Sequence, residues 1–241
     1  MRNVSGPKDD KTSVVLSSNS AIGDEGHLPM SWFDDLGADG KPARLGIMGG
    51  TFDPVHTGHL ACAEMAMDAC DLDGVMFMVA ANPSLKQRQT TASPEERLEM
   101  VRLAIEGNDR FSCSDLELRR EGITYTSDTL RQLRLEYPEW VELAFIIGAD
   151  SLITLPQWHE AEVIKELATI ICVSRPGRFD EDELLQSCRE EGFNIEHVCA
   201  PLLDISSSEL RQRVRTGQSI RYLTPDAVCR FVEERNLYVK G

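Results

Sequence analysis

From Arg44 onward the chain alternates short, unbroken apolar runs with longer amphipathic stretches. LGIMG (45–49), GVMFMVAA (74–81), FSCSDLEL (111–118), VELAFIIGAD (141–150), ATIICVSRPG (168–177) and FNIEHVCAP (193–201) have strand length. Between them, HLACAEMAMDACD (59–71), SPEERLEMVRLAIEG (93–107) and TSDTLRQLRLEYP (126–138) carry helical spacing, and residues 206–216 and 225–235 predict two closing helices. The stretch at 93–107 is the clearest helix. Ser93 and Glu96 form a capping box, Pro94 occupies the first helical position, and Leu98, Val101 and Ile105 share a face. Strands alternating with helices imply βαβ units. Apolar runs that do not alternate with polar residues imply a sheet covered on both sides. The predicted fold is α/β: a Rossmann-like, doubly wound, mostly parallel sheet with helices on both faces. Residues 1–42, rich in Ser, Gly and Asp and without periodicity, are expected to be a flexible N-terminal extension, with LPMSWF (28–33) as a patch able to dock on the body. Residues 43–241 are expected to form one domain.

In such a fold ligands bind beyond the carboxyl ends of the strands. The unusual polar strings fall at those ends: GGTFDPVHTGHL (49–60), NPSLK (82–86), GAD (148–150), SRPG (174–177) and DISSSELR (204–211). Charge narrows the ligand. A net charge of −15 argues against nucleic acid as a partner. The acid is concentrated elsewhere: residues 180–196 carry seven acids against Arg189, while residues 206–241 hold six Arg and one Lys against four acids. A small anionic ligand is therefore compatible with the chain. Seven cysteines without a C-x-x-C pair, several in apolar runs, read as buried thiols of a reducing cytoplasm. No apolar run approaches a membrane span and no secretory leader is expected. A homo-oligomer is compatible with the sequence.

GGTFDPVHTGHL places Gly49 and Gly50 where a phosphate can approach the backbone and where φ > 0 is tolerated. The helix after it offers free N–H groups and the positive end of its dipole. His56 and His59, three residues apart, can share one face, and Gly58 between them leaves room for a bulky ligand. Imidazoles at a helix N-terminus suit the charge that develops in phosphoryl or nucleotidyl transfer. A metal site from Asp53, His56 and His59 is the rival reading of the same residues. Neither a P-loop nor a G-x-G-x-x-G string occurs, which weakens kinase and dehydrogenase readings. In DISSSELR, Ser206 and Glu209 form a capping box, and Arg211 and Arg215 are i, i+4 neighbours on a basic helix.

Together, G-x-F-x-P-x-H-x-G-H (50–59) and I-S-S-x-x-x-R (205–211) resemble the HxGH nucleotidyltransferases, and more closely the bacterial nicotinate-nucleotide adenylyltransferase family. YTSDTL (125–130), IIGADSLITLPQWHE (146–160) and CVSRPG (172–177) follow in that family's order, so the resemblance covers about residues 44–240. It implies transfer of AMP from ATP to nicotinate mononucleotide, with nicotinate adenine dinucleotide and pyrophosphate as products. It implies catalytic roles for His56, His59 and Arg211, and an ATP site of Gly49, Gly50, Thr51, Phe52, Lys86, Asp150, Arg175, Ser206 and Ser207. Thr126, Trp158 and His159 would hold the mononucleotide, and Mg²⁺ would arrive with ATP without a protein metal site. Where relatives usually carry Pro-Pro-His-Lys, this chain has Asn82-Pro83-Ser84-Leu85-Lys86, with Arg88 nearby. Rival readings are a phosphopantetheine adenylyltransferase or cytidylyltransferase on the same frame, a non-catalytic nucleotide-binding module, and a metal-dependent hydrolase.

Overall fold

The unbroken apolar runs become the strands of one sheet. The computed structural model describes residues 33, 35–81, 91–120, 122–174, 181–200 and 203–239. Strands β1 (Ala43–Gly50), β2 (Gly74–Val79), β3 (Phe111–Ser114), β4 (Val141–Gly148), β5 (Ala168–Ser174) and β6 (Ile195–Cys199) pair in the order β3-β2-β1-β4-β5-β6, all parallel. Every residue of β2 and β5 is buried, as a sheet covered on both faces requires. Helices α1 (Thr57–Ala69), α2 (Pro94–Ile105), α3 (Thr126–Glu136), α4 (Ala161–Leu167), α5 (Glu181–Glu190), α6 (Ser207–Arg215) and α7 (Asp226–Glu234) complete the described elements.

This strand order sets the site. The chain leaves β1 for β2 on one side and returns to β4 on the other, so Ile47 of β1 pairs with both Met76 and Phe145. The loops after β1 and β4 diverge from that switch point and open a crevice between them. α2 begins as its sequence predicts. Ser93 Oγ accepts the Glu96 N–H at 3.2 Å, and the Glu96 carboxylate accepts the Ser93 N–H at 2.8 Å.

Several boundaries differ from the sequence reading. The strand expected over 111–118 ends at Ser114, because Ser114 Oγ accepts the Leu116 N–H and the Asp115 carbonyl accepts from Leu118 and Arg119, winding the chain into a turn. α4 and α5 are not signalled by the periodicity. α4 has only seven residues, and α5 lies in the acidic block, where Leu185 and Cys188 are the buried face of an otherwise charged helix. Within the expected extension, residues 33 and 35–42 are described. Ser31–Gly241 form one compact unit, Phe33 is fully buried, and the Trp140 indole donates to the Gly37 carbonyl at 2.7 Å. Of the LPMSWF patch, only Phe33 lies within the described residues.

Candidate active site

β1 delivers the chain into the turn Thr51–His56, and α1 begins at Thr57. Rings occupy the space that side chains at the two glycines would take. A Cβ on Gly50 would lie 2.7 Å from Cζ of Phe52, and one on Gly49 would lie 3.1 Å from Cζ of Phe145. The positive φ expected of a glycine falls on Phe52 (50°), followed by a cis Asp53–Pro54 bond. A ring is also the near neighbour at Gly58. Its missing Cβ makes room for the His56 ring, since a methyl there would sit 3.0 Å from His56 Nδ1.

The histidines are brought together. His56 is the N-cap of α1, and His59 lies in its first turn. Their rings stack with centroids 3.6 Å apart and planes 24° apart, and Phe52 meets His59 edge-on at 5.1 Å. The His56 backbone N–H donates to His59 Nδ1 at 3.2 Å. An accepting Nδ1 carries no proton, so the ring N–H of His59 is at Nε2. His56 is 6% exposed, and its Nδ1 is buried without a hydrogen-bond partner. Burial pulls its pKa from the ordinary 6.5 down to about 4, so His56 is neutral at pH 7.

That shift has a consequence for stability. The unfolded chain takes the proton at a higher pH than the folded one, so stability falls as pH drops from 6.5 through about 4. The largest loss attributable to His56 is about 3 kcal/mol. His56→Asn is expected to remove this component. Urea unfolding of both proteins at neutral and acidic pH reads it: equal acid sensitivity would mean that His56 is protonated as readily in the fold as in water.

The C-terminal segment then fastens the turn. Three consecutive carbonyls each accept from a different C-terminal side chain: Asp53 from Arg211 (2.6 Å), Pro54 from Ser207 (2.8 Å) and Val55 from Thr224 (2.8 Å). The Thr57 N–H donates to the Leu223 carbonyl at 3.0 Å. Ser206 is the N-cap of α6 and accepts the Glu209 N–H at 3.1 Å. The fold thus brings the N-termini of α1 and α6 together, with His56, His59, Ser206, Ser207 and Arg211 in one place. Ser207 spends its O–H on Pro54, whereas the Ser206 hydroxyl accepts from Glu209 and keeps its own O–H, so the anion donors there are that hydroxyl, the main-chain N–H groups at the start of α6 and the Arg211 guanidinium.

Asp53 does not join the histidines in a metal set. It is 4% exposed, and its oxygens accept from the Thr91 N–H (2.8 Å), the Ala92 N–H (3.2 Å) and the Tyr238 hydroxyl (2.7 Å). Among the described residues no three His, Cys, Asp or Glu are grouped to hold a metal.

A second cluster forms across the crevice. Asp150 is exposed in a 3₁₀ turn after β4, and its carboxylate folds back over Gly148, where a Cβ would lie 2.8 Å from Oδ1. Trp158 is half-buried. Its Nε1 donates to Thr154 Oγ1 at 3.2 Å, and its ring meets Phe145 edge-on at 6.2 Å. Phe145 therefore links Trp158 to the space under Gly49. His159 packs on Tyr125 at 4.1 Å, and Arg131 of α3 grips Glu160 with two bonds of 2.5 and 2.8 Å. These contacts bring Thr126, the first residue of α3, beside the Trp158–His159 loop. Tyr125, the N-cap of α3, supplies no side-chain acceptor.

One residue escapes the sequence reading. Arg97 of α2 is fully buried, and its Nη1 donates to the carbonyls of Thr51 (2.8 Å) and Ala80 (2.7 Å), tying the ends of β1 and β2 together. The signal was present in the helical spacing, because Arg97 lies four and eight residues before Val101 and Ile105 and so shares their buried face. Lys86, with its neighbour Arg88, and Arg175 lie outside the described residues.

The cytidylyltransferase-like family profile matches residues 47–213. A protein of Exiguobacterium sibiricum, named a probable nicotinate-nucleotide adenylyltransferase, is 45% identical over 81% of this chain and 98% of its own length. A protein of the same name from Dehalococcoides mccartyi is 41% identical over 81% of this chain and 97% of its own. Among solved structures, Plasmodium falciparum nicotinic acid mononucleotide adenylyltransferase complexed with NaAD superposes with a TM-score of 0.67 at 20% identity, covering 81% of this chain and 97% of that one. At that identity the superposition speaks for the fold.

Proposed function

The chain belongs to the cytidylyltransferase-like family, among the nicotinate-nucleotide adenylyltransferases, and we propose that it carries out AMP transfer from ATP to nicotinate mononucleotide with the two residue clusters of its crevice. The observation that carries this assignment of roles is the docking of the α1 N-terminus, with its stacked histidines, onto the α6 N-terminus through Arg211, Ser207 and Thr224.

An oxygen of the mononucleotide phosphate attacks the α-phosphorus of ATP. The bond from that phosphorus to the bridging oxygen breaks, and pyrophosphate leaves with the electron pair. No protein nucleophile takes part, so catalysis is positioning and charge stabilisation. His59 Nε2–H and the buried His56 ring meet the charge growing around the α-phosphate, and His56 does so as a neutral imidazole. Arg211 and the first N–H groups of α6 take the β- and γ-phosphates. Asp150 bonds the adenosine ribose, and the backbone of Gly49 to Phe52 lines the nucleotide. Arg175 and Lys86 are assigned to the adenine and the phosphates by resemblance alone. Trp158 stacks on the cationic pyridine ring, and the first turn of α3 with the His159 backbone meets its carboxylate.

The donors gathered at the α1 and α6 termini are imidazoles, N–H groups and a guanidinium, a set that suits a polyphosphate, while the Asp53 carboxylate is already engaged. Mg²⁺ would therefore arrive with ATP, and it would supply charge neutralisation of the triphosphate. No side chain of this protein is assigned to it. All seven cysteines are free thiols, and no helix among the described residues is long and apolar enough to cross a membrane; we infer a cytoplasmic enzyme.

Pyrophosphate release with Mg-ATP and each of three acceptors tests the function: nicotinate mononucleotide, nicotinamide mononucleotide and phosphopantetheine. A strong preference for the first is expected. Turnover with phosphopantetheine alone would move the chain to another branch of the family. The histidine geometry has its own test in Gly58→Ala. The added methyl meets the His56 ring, so kcat is expected to fall by about 10- to 100-fold with Tm little changed. A wild-type kcat would mean that the position of His56 is not critical.

A further inference from the structure

Tyr238 lies close to the C-terminus, in the polar pocket beneath the catalytic turn. It is buried, with its backbone in the left-handed region (φ 65°), and its hydroxyl donates to Asp53 Oδ1 at 2.7 Å and lies 3.8 Å from Met100 Sδ. Among the described residues, Asp53 is the carboxylate that Tyr238 bonds, and the guanidiniums of Arg97 and Arg211 act on the same pocket. Arg97 spends its Nη1 on the carbonyls of Thr51 and Ala80. Arg211 is different. Its Nη1 donates to the Asp53 carbonyl at 2.6 Å, yet it stands only 3.9 Å from Asp53 Oδ2, beyond a hydrogen bond but well within electrostatic reach. Arg211 is thus placed between two attractors, the Asp53 carboxylate and whatever anion occupies the α6 N-terminus.

We propose that Tyr238 is a positioning residue for Arg211: by completing the donor set of Asp53, it keeps the guanidinium from closing onto that carboxylate and leaves it turned toward the pyrophosphate end of ATP. This inference rests on the assignment of Arg211 to the β- and γ-phosphates. With Thr91, Ala92 and Tyr238 all donating, the buried carboxylate is hydrogen-bonded on both oxygens, and Arg211 stays at the long distance of 3.9 Å. Without the hydroxyl, Oδ1 keeps only the longer bond from Ala92, the less satisfied carboxylate attracts Arg211 more strongly, and the guanidinium needs to move by about 1 Å to bond Oδ2 at ordinary length beside the Thr91 N–H. The hydroxyl is a donor at any working pH, because burial and the Asp53 charge hold it protonated far above the ordinary tyrosine range. The turn itself stays in place, since Ser207, Thr224 and Leu223 hold Pro54, Val55 and Thr57 independently. For the same reason Tyr238→Phe is expected to fold.

The test compares pyrophosphate affinity, read as product inhibition and by calorimetry below the lowest Tm of the set, in the full-length wild type, Tyr238→Phe, Arg211→Ala and Met100→Leu. Tyr238→Phe is expected to weaken pyrophosphate binding and raise the KM for ATP by about tenfold, the worth of a charge-assisted hydrogen bond, while the KM for nicotinate mononucleotide stays unchanged. Met100→Leu perturbs the same pocket without removing the hydroxyl, so it is expected to move Tm and leave pyrophosphate affinity alone. A Tyr238→Phe enzyme that binds pyrophosphate as the wild type does, whatever its Tm, overturns the inference while the role of Arg211 stands. Should Arg211→Ala itself bind pyrophosphate normally, the phosphate assignment of Arg211 fails and the role of Tyr238 falls with it.

Discussion

His59→Asn is expected to lower kcat by about two to three orders of magnitude with Tm nearly unchanged, the size of effect seen when one preorganised donor to a developing oxyanion is lost. His59 does two things with two nitrogens. Nδ1 accepts the His56 backbone N–H at 3.2 Å and so closes the start of α1. Nε2 carries the ring proton and, in the proposed mechanism, is the donor to the α-phosphate. An asparagine oxygen can take over the Nδ1 position and keep the cap, but it brings no donor to where Nε2 stood. His59→Ala removes both functions, so it is expected to show the same loss of kcat together with about 1 kcal/mol of lost stability, the usual worth of an N-terminal cap. Steady-state kcat at saturating ATP and nicotinate mononucleotide, beside Tm, separates the two roles. An asparagine variant with full activity would reduce His59 to a capping residue and shift the chemistry to His56.

The large features of this fold were legible because the central strands are apolar runs bounded by turn residues, and the capping box at Ser93 fixed the start of α2 without tertiary help. What escaped was decided by packing. α5 reads as a charge block because, among its described side chains, Leu185 and Cys188 alone are buried. Residues 115–118 have strand composition, yet Ser114 and Asp115 divert the backbone into a turn. In the site, the residue types at His56, His59 and Arg211 pointed to the chemistry, and the fold brings them together. The roles of the glycines did not follow from composition. A missing Cβ shows that something needs the space but not what, and here the phenyl rings of Phe52 and Phe145 and the His56 imidazole take it. The supporting residues were the least visible. Arg97 and Tyr238 lie 44 and 185 positions away from Asp53 in the sequence, and only the folded chain shows that they surround it.

Arg97→Met is expected to cost about 3 kcal/mol of stability and to lower kcat as well, because two opposing effects are unequal. Methionine removes a buried guanidinium whose Nε has no hydrogen-bond partner, and burial alone disfavours that charge enough to lower its pKa. Relief of that desolvation favours the variant. Against it stand the carbonyls of Thr51 and Ala80, each left buried without its side-chain donor at about 1–3 kcal/mol apiece. The Asp53 carboxylate also loses a cation that balances it. Two stranded acceptors and a less balanced buried anion outweigh one unsatisfied Nε. The effect on kcat follows from location, since Thr51 opens the turn that carries His56. Arg97→Lys retains the charge opposite Asp53 but not the planar fork, so the gap between the Lys and Met variants measures the electrostatic share. Urea unfolding at constant m, with kcat measured on the folded fraction, reads both. A methionine variant as stable as the wild type would mean that burying the guanidinium costs as much as its bonds return, and that Arg97 is kept for the geometry of the turn alone.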